Sequence, residues 1–105
     1  MTIIETPIFT RLLKPSLSDD DYRELQNLLI SRPEAGNVMR GSGGIRKLRW
    51  AGSGRGKRGG VRVIYYWFSQ KETILMLFIY PKKKQDDLTS EQLKTLKAIV
   101  VREFK

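Results

Sequence analysis

From Thr73 to Tyr80 the chain reads TILMLFIY, apolar at every position after the opening threonine. A strand sends successive side chains to opposite faces, so a segment like this needs cover on both and belongs in the middle of a sheet. Just upstream, Val61 to Phe68 reads VRVIYYWF, apolar or aromatic on both faces except at Arg62. Ser69 to Glu72, between the two, suits a tight hairpin. A third strand-like segment runs from about Ile45 to Ala51. Pro81 closes the Thr73 segment, because proline has no backbone donor to offer a neighbouring strand.

The remaining segments read mainly as helices. Thr2 to Glu5 is a candidate short strand, and Thr6-Pro7 then supplies an N-cap with proline at the first helical position. Ile8, Phe9, Leu12 and Leu13 make the apolar stripe of a brief helix that Pro15 is expected to end. Ser18 caps a second helix, with Asp19, Asp20 and Asp21 at its positive end. Tyr22, Leu25, Leu28 and Leu29 recur at helical spacing, and Pro33 marks the stop. Gly41 to Gly44 form a glycine-rich link to the strand-like segments. After Lys82 to Lys84, Thr89 and Gln92 form a capping box, and Leu93, Leu96, Val100 and Phe104 line one face of a last helix. The predicted order is β-α-α-β-β-β-α. That is a small α+β domain with an antiparallel sheet, mixed through its N-terminal strand, two N-terminal helices and one C-terminal helix. At 105 residues, positions 1–105 form one domain without internal repeats.

Several function classes drop out. No run approaches the roughly 18 to 20 apolar residues of a membrane span, so no membrane partner is expected. Met1 to Phe9 lacks the basic start and apolar run of a signal peptide, and a cytoplasmic location is the simplest expectation. The chain contains no cysteine, hence no disulfide or thiolate metal site, and no histidine. A His-dependent nuclease, a Ser-His-Asp hydrolase and an imidazole-bound zinc enzyme are all excluded. No metal or cofactor is expected. Any proton transfer must fall to Lys, Tyr, Asp or Glu, or to groups on the substrate.

The charge is concentrated. Nine Lys or Arg residues and no Asp or Glu lie between Ala35 and Lys71, while the formal net charge of the whole chain is +9. The remaining residues carry eleven charges of each sign and cancel. A local basic block broken by glycines and followed by an aromatic strand points to a polyanionic partner. At its heart, Ala51 to Gly60 holds five glycines together with Arg55, Lys57 and Arg58.

Two nucleotide-binding readings fail on context. Gly52 to Lys57 has one residue too few for a Walker loop, and Arg58 stands where Ser or Thr is required. Gly54, Gly56 and Gly59 match G-x-G-x-x-G, but a strand follows instead of the helix that would hold a pyrophosphate. The plain alternative is a hairpin loop kept soluble by charge. Uncompensated cations repel one another, however, and a bound polyanion removes that cost. Grooves that track a nucleic-acid backbone add aromatic rings on which bases stack. Tyr65, Tyr66, Trp67, Phe68 and Tyr80 lie on the adjoining strands, although a sheet core also needs them. Alternation separates Arg62, Ile64, Tyr66 and Phe68 from Val61, Val63, Tyr65 and Trp67.

Gly43 to Tyr66, GGIRKLRWAGSGRGKRGGVRVIYY, resembles the HigB-like branch of the RelE toxin superfamily. Tyr80-Pro81-Lys82 is similar to the Tyr-x-Lys of that branch, and Asp87-Leu88-Thr89 precedes the last helix as it does there. The likeness in motifs covers about the last two thirds of the chain, and the element order agrees throughout. It implies a RelE-like fold and a type II toxin-antitoxin toxin that cleaves mRNA on the translating ribosome without a metal. The ribose 2′-hydroxyl would attack the neighbouring phosphate, giving a 2′,3′-cyclic phosphate and a 5′-hydroxyl. By position, Arg62 matches the arginine that contacts the scissile phosphate, and a guanidinium suits two phosphate oxygens at once. Lys82 matches the Tyr-x-Lys lysine, a candidate for proton transfer or charge stabilisation. Lys57 and Arg58 match the Lys-Arg pair of the loop, and a lysine crowded by cations shifts toward the pKa a general base needs. Either Lys57 or Lys82 can fill that role. Some RelE-type enzymes use a tyrosine near the final helix; here that neighbourhood offers Thr89, with Tyr80 the nearby substitute.

The resemblance further implies that Arg46, Lys47, Arg49, Arg55, Lys83, Lys84 and Tyr80 contact mRNA or ribosomal RNA. The implied protein partner is a cognate antitoxin with a HigA-like helix-turn-helix domain. Two alternatives stay open: a toxin of the same fold that inhibits a protein such as gyrase, and a non-catalytic RNA- or ribosome-binding module.

Overall fold

The computed structural model describes residues 1–51 and 60–104. Along the chain these form β1 (Thr2–Glu5), α1 (Pro7–Ser16), α2 (Asp19–Ser31), β2 (Asn37–Val38), β3 (Ile45–Trp50), β4 (Val61–Phe68), β5 (Thr73–Pro81) and α3 (Ser90–Phe104). One mixed sheet takes the order β1-β5-β4-β3-β2. β1 runs parallel to β5, and the other neighbours are antiparallel. The apolar segment at Thr73 is therefore an interior strand, and Thr2 to Glu5 closes the sheet beside it.

The helix ends follow the sequence signals. Thr6 and Ser18 accept from the backbone N–H of Phe9 and Asp21, both at 3.1 Å. Thr89 and Gln92 exchange reciprocal bonds of 2.9 and 3.1 Å at the start of α3. Two expectations need correction. Pro15 does not stop α1, which continues to Ser16 with the Leu17 N–H bonded to Leu13. A proline in the last turn removes one donor, and the next turn's bond still closes behind it. Asn37–Val38 pairs with Lys47 and Arg46, so Gly41 to Gly44 belong to a β2–β3 connection and not to a link between layers. A two-residue strand carries no periodicity to read.

Both faces of the sheet are covered, and the alternation along β4 decides what each receives. Val61, Val63 and Tyr65 join Phe9, Leu17, Leu25 and Leu29 of the α1–α2 layer. Ile64 and Tyr66 join Leu96 and Val100 of α3. The Tyr65 hydroxyl donates to Pro33 O at 2.7 Å and accepts from the Gly36 N–H at 2.8 Å, tying the α2–β2 connection to the core.

The two faces are not covered equally. Strands sit about 4.8 Å apart, so five of them are wider than one helix of about 10–12 Å diameter. Two helices pack on one face and one on the other. Part of the α3 face is thus left to the segment between β5 and α3, and the candidate site lies there.

Candidate nucleic-acid interface

Cross-strand register assembles the site. Arg62 on β4 stands opposite Arg49 on β3 and opposite Tyr80 on β5, and directly paired residues share a face. Lys47 occupies the next row of that face, opposite Ile64. A one-residue register shift brings Tyr80 here. Ile64 pairs with Phe78 but Tyr65 pairs with Met76, so Leu77 is the extra residue on β5. Before the bulge, Ile74 and Met76 belong to the α1–α2 core; after it Tyr80 belongs to the α3 side. Without the bulge Tyr80 would face away from Arg62.

Arg62 is only 5% exposed, whereas Arg49 lies in solvent. Like charges directly opposite on neighbouring strands are destabilising. Tolerating such a pair, with one member buried and Lys47 a row away, is consistent with a face built to meet anions. A carboxylate does reach it. Asp87, from the β5–α3 segment, sits 3.2 Å from Lys47 Nζ. Its carboxyl is held below the ordinary value mainly by the hydrogen bond from the Leu88 N–H; Lys47 and Arg62 act in the same direction, against some burial. Lys47 and Asp87 form part of the wall of a cleft of about 420 Å³ between β2 and the start of α3.

Tyr80 is buried to 4% exposure, and its hydroxyl has no hydrogen-bond partner among the described residues. Its ring offers no open face for stacking, and the hydroxyl oxygen is buried as well, so a ligand would reach it only by moving its neighbours. Burial first, and Asp87 next, push the phenol above its usual value, with Arg62 opposing. Near neutral pH it is therefore a donor and not a ready base. Tyr22 and Tyr65 are shifted the same way, each chiefly by burial, and the Tyr22 hydroxyl also donates to Glu5 at 2.7 Å. Below pH 10 both folded and unfolded chains keep these protons, and the contribution of the three phenols is fully present. Above it the unfolded chain releases protons that the folded chain retains, so stability falls as pH rises. Spectrophotometric titration should show Tyr22, Tyr65 and Tyr80 ionising above pH 10, with denaturant midpoints declining from about pH 10 upward. Midpoints that stay flat across that range would contradict the burial of these hydroxyls.

The other expected residues divide. Lys82, Lys83 and Lys84 are exposed on the turn after β5, where the Lys82 N–H bonds Gly60 O at 3.3 Å and the Lys84 N–H bonds Pro81 O at 3.0 Å. Lys82 thus sits beside the residue that leads into β4 and Arg62. Arg55, Lys57 and Arg58 lie outside the described residues. Arg46 stands apart from the Arg62 row. Alternation places it on the α1–α2 face with Tyr65, and its guanidinium donates to Gly36 O at 2.7 Å and pairs with Glu34 at 3.9 Å. It holds the β2 connection, on the side away from Arg62. Asp87 was singled out only as part of the Asp87-Leu88-Thr89 run before the last helix; its contact with Lys47 spans forty positions, which no local pattern shows. Among the described residues, no cluster of His, Cys, Asp or Glu is placed to hold a metal ion.

Comparison with known proteins adds a family and a fold. Residues 1–104 match the family described as the RelE toxin of the RelE / RelB toxin-antitoxin system. The structure is similar to a free-state E. coli toxin RelE carrying two arginine-to-alanine substitutions. The TM-score is 0.60 at 13% identity, over 95% of this chain and 96% of that one. It is also similar to a chain of the intact E. coli RelBE toxin-antitoxin complex. Here the TM-score is 0.54 at 14% identity, over 74% of this chain and 92% of that one. At such identities the structural likeness establishes the fold.

Proposed function

The chain belongs to the RelE toxin family, and from that membership we propose that it is a ribosome-dependent, metal-independent mRNA endoribonuclease of a type II toxin-antitoxin system. The observation that carries this reading is the Arg49–Arg62–Tyr80 row, a buried guanidinium beside an exposed one on a face edged by lysines. In the proposed reaction the ribose 2′-oxygen loses its proton to a lysine and attacks phosphorus. The bond from phosphorus to the 5′-oxygen breaks, that oxygen takes a proton, and the products are a 2′,3′-cyclic phosphate and a 5′-hydroxyl. Arg62 would stabilise the charge that grows on the non-bridging oxygens. Lys57 and Lys82 are the candidates for proton transfer, and Arg58, which the resemblance pairs with Lys57, would add positive charge. Lys47, Arg49, Arg55, Lys83 and Lys84 would hold the RNA backbone, and Tyr80 would donate a hydrogen bond from its hydroxyl.

A cytoplasmic antitoxin, of the helix-turn-helix type that the HigB-like motifs favour, would neutralise the toxin by covering this face. The test is to express the protein briefly and map 5′ ends of cellular mRNA. New 5′-hydroxyl ends within translated regions are expected. Growth arrest with intact transcripts would remove the nuclease reading, and a DNA-damage response in that setting would point to a protein target instead.

A further inference from the structure

Asp87 is an acidic side chain beside the sheet face that carries Lys47, Arg49 and Arg62, and the way it is held resembles the way a phosphate is held. One oxygen, Oδ1, accepts from Lys47 Nζ at 3.2 Å and from the Leu88 backbone N–H at 2.8 Å. A lysine ammonium with a backbone N–H is a common pairing around a phosphate oxygen. The Arg62 charge also acts on the carboxylate. The pair borders the cleft between β2 and α3, so an incoming group has room to approach. The Asp87 side chain is 60% exposed, and an ion pair so open to water is held weakly.

We propose that Lys47 Nζ and the Leu88 N–H, bordered by Arg62, form a subsite for one phosphodiester group of the RNA strand, and that the Asp87 carboxylate fills it at rest. The inference rests on the RNA-binding reading above and adds a named contact to it. Binding then becomes an exchange of anions. The phosphate displaces Asp87, Lys47 keeps a partner throughout, and the like charges on this face never stand without a counter-charge. The cost is affinity, because the RNA must compete with a carboxylate tethered to the same chain.

The test uses a short 2′-O-methyl RNA, which presents phosphates but cannot be cleaved, and follows binding by fluorescence anisotropy over a salt series. Asp87→Asn keeps an oxygen for the Leu88 N–H and removes the competing charge. It should tighten binding roughly three- to tenfold at low salt and steepen the salt slope by about 0.7, the increment for one phosphate contact on a single strand that is no longer offset by the loss of the Lys47–Asp87 pair. Asp86→Asn makes the same change in net charge one residue away from the subsite, and should leave the slope unchanged. An unaltered slope in Asp87→Asn, or an equal gain in Asp86→Asn, overturns the subsite. Weaker binding in Asp87→Asn also overturns it, since Asp87 would then be steadying Lys47 instead of competing with RNA. If the wild-type protein binds this RNA with no salt dependence, the RNA-binding reading itself fails, an outcome separable from the other three.

Discussion

Replacing Arg62 by alanine is expected to slow mRNA cleavage on translating ribosomes by a factor on the order of 10² to 10³, the usual consequence of removing one preorganised stabiliser of transition-state charge. The expectation depends on where Arg62 sits. It is almost fully buried, between Arg49 and Tyr80 in one cross-strand row, so its guanidinium is fixed before substrate arrives. A group that need not reorganise contributes more than a flexible surface cation. Arg62→Lys should fall between wild type and alanine, since it keeps the charge but loses the fork that grips two phosphate oxygens. Single-turnover rates measure both. Thermal melting of the same samples separates chemistry from folding, and the lysine variant, which retains a long stem in the same slot, is the safer reporter. Wild-type rates in both variants would show that Arg62 has no part in the reaction.

Gly60→Ala should destabilise the fold by at least about 2 kcal/mol, or a melting temperature lower by roughly 8 °C or more for a domain of this size. Gly60 has φ +57°, a left-handed conformation that an L side chain resists. Space is the second obstacle. A Cβ there would lie 2.4 Å from the Trp50 carbonyl oxygen and 3.0 Å from the Ala51 Cα, both backbone atoms that cannot swing aside. Relief requires β3 and β4 to separate where Trp50 pairs with Val61, one residue before Arg62. Gly60 O also receives the Lys82 N–H, so the same shift disturbs the exit of β5. Activity should therefore fall with stability. Melting and cleavage measured on one preparation check this, and a variant with wild-type values for both would mean that the β3–β4 connection tolerates the added carbon.

Much of the architecture was legible in local chemistry. Thr6, Ser18 and the Thr89–Gln92 pair cap helices because their oxygens reach N–H groups within three residues, an interaction contained in the local sequence. The two-faced apolar strands required cover on both sides and received it. Alternation along β4 sorted Arg62, Ile64 and Tyr66 from Val61, Val63 and Tyr65 without any knowledge of neighbours. Pro15 was misread because a last-turn proline costs a single bond, and the two-residue β2 was not seen because two residues hold no pattern.

The site was less legible, for reasons of register. By itself the sequence determined a concentrated basic block, a chain without histidine or cysteine, and a strand with one arginine among apolar residues. Those features depend on residue identity and near-neighbour spacing alone. Which cations act together was decided only by tertiary pairing. Arg46 and Lys47 are adjacent in sequence yet lie on opposite faces, one holding backbone carbonyls and the other facing the Arg62 side. Tyr80 shares a face with Arg62 because one extra residue in β5 reverses the alternation, a change of pairing that no local preference announces. Asp87 meets Lys47 across forty positions of chain. The charge was written in the composition, but its arrangement was not: whether a cation reaches the site depends on strand register, and a single residue of slip turns it to the other side.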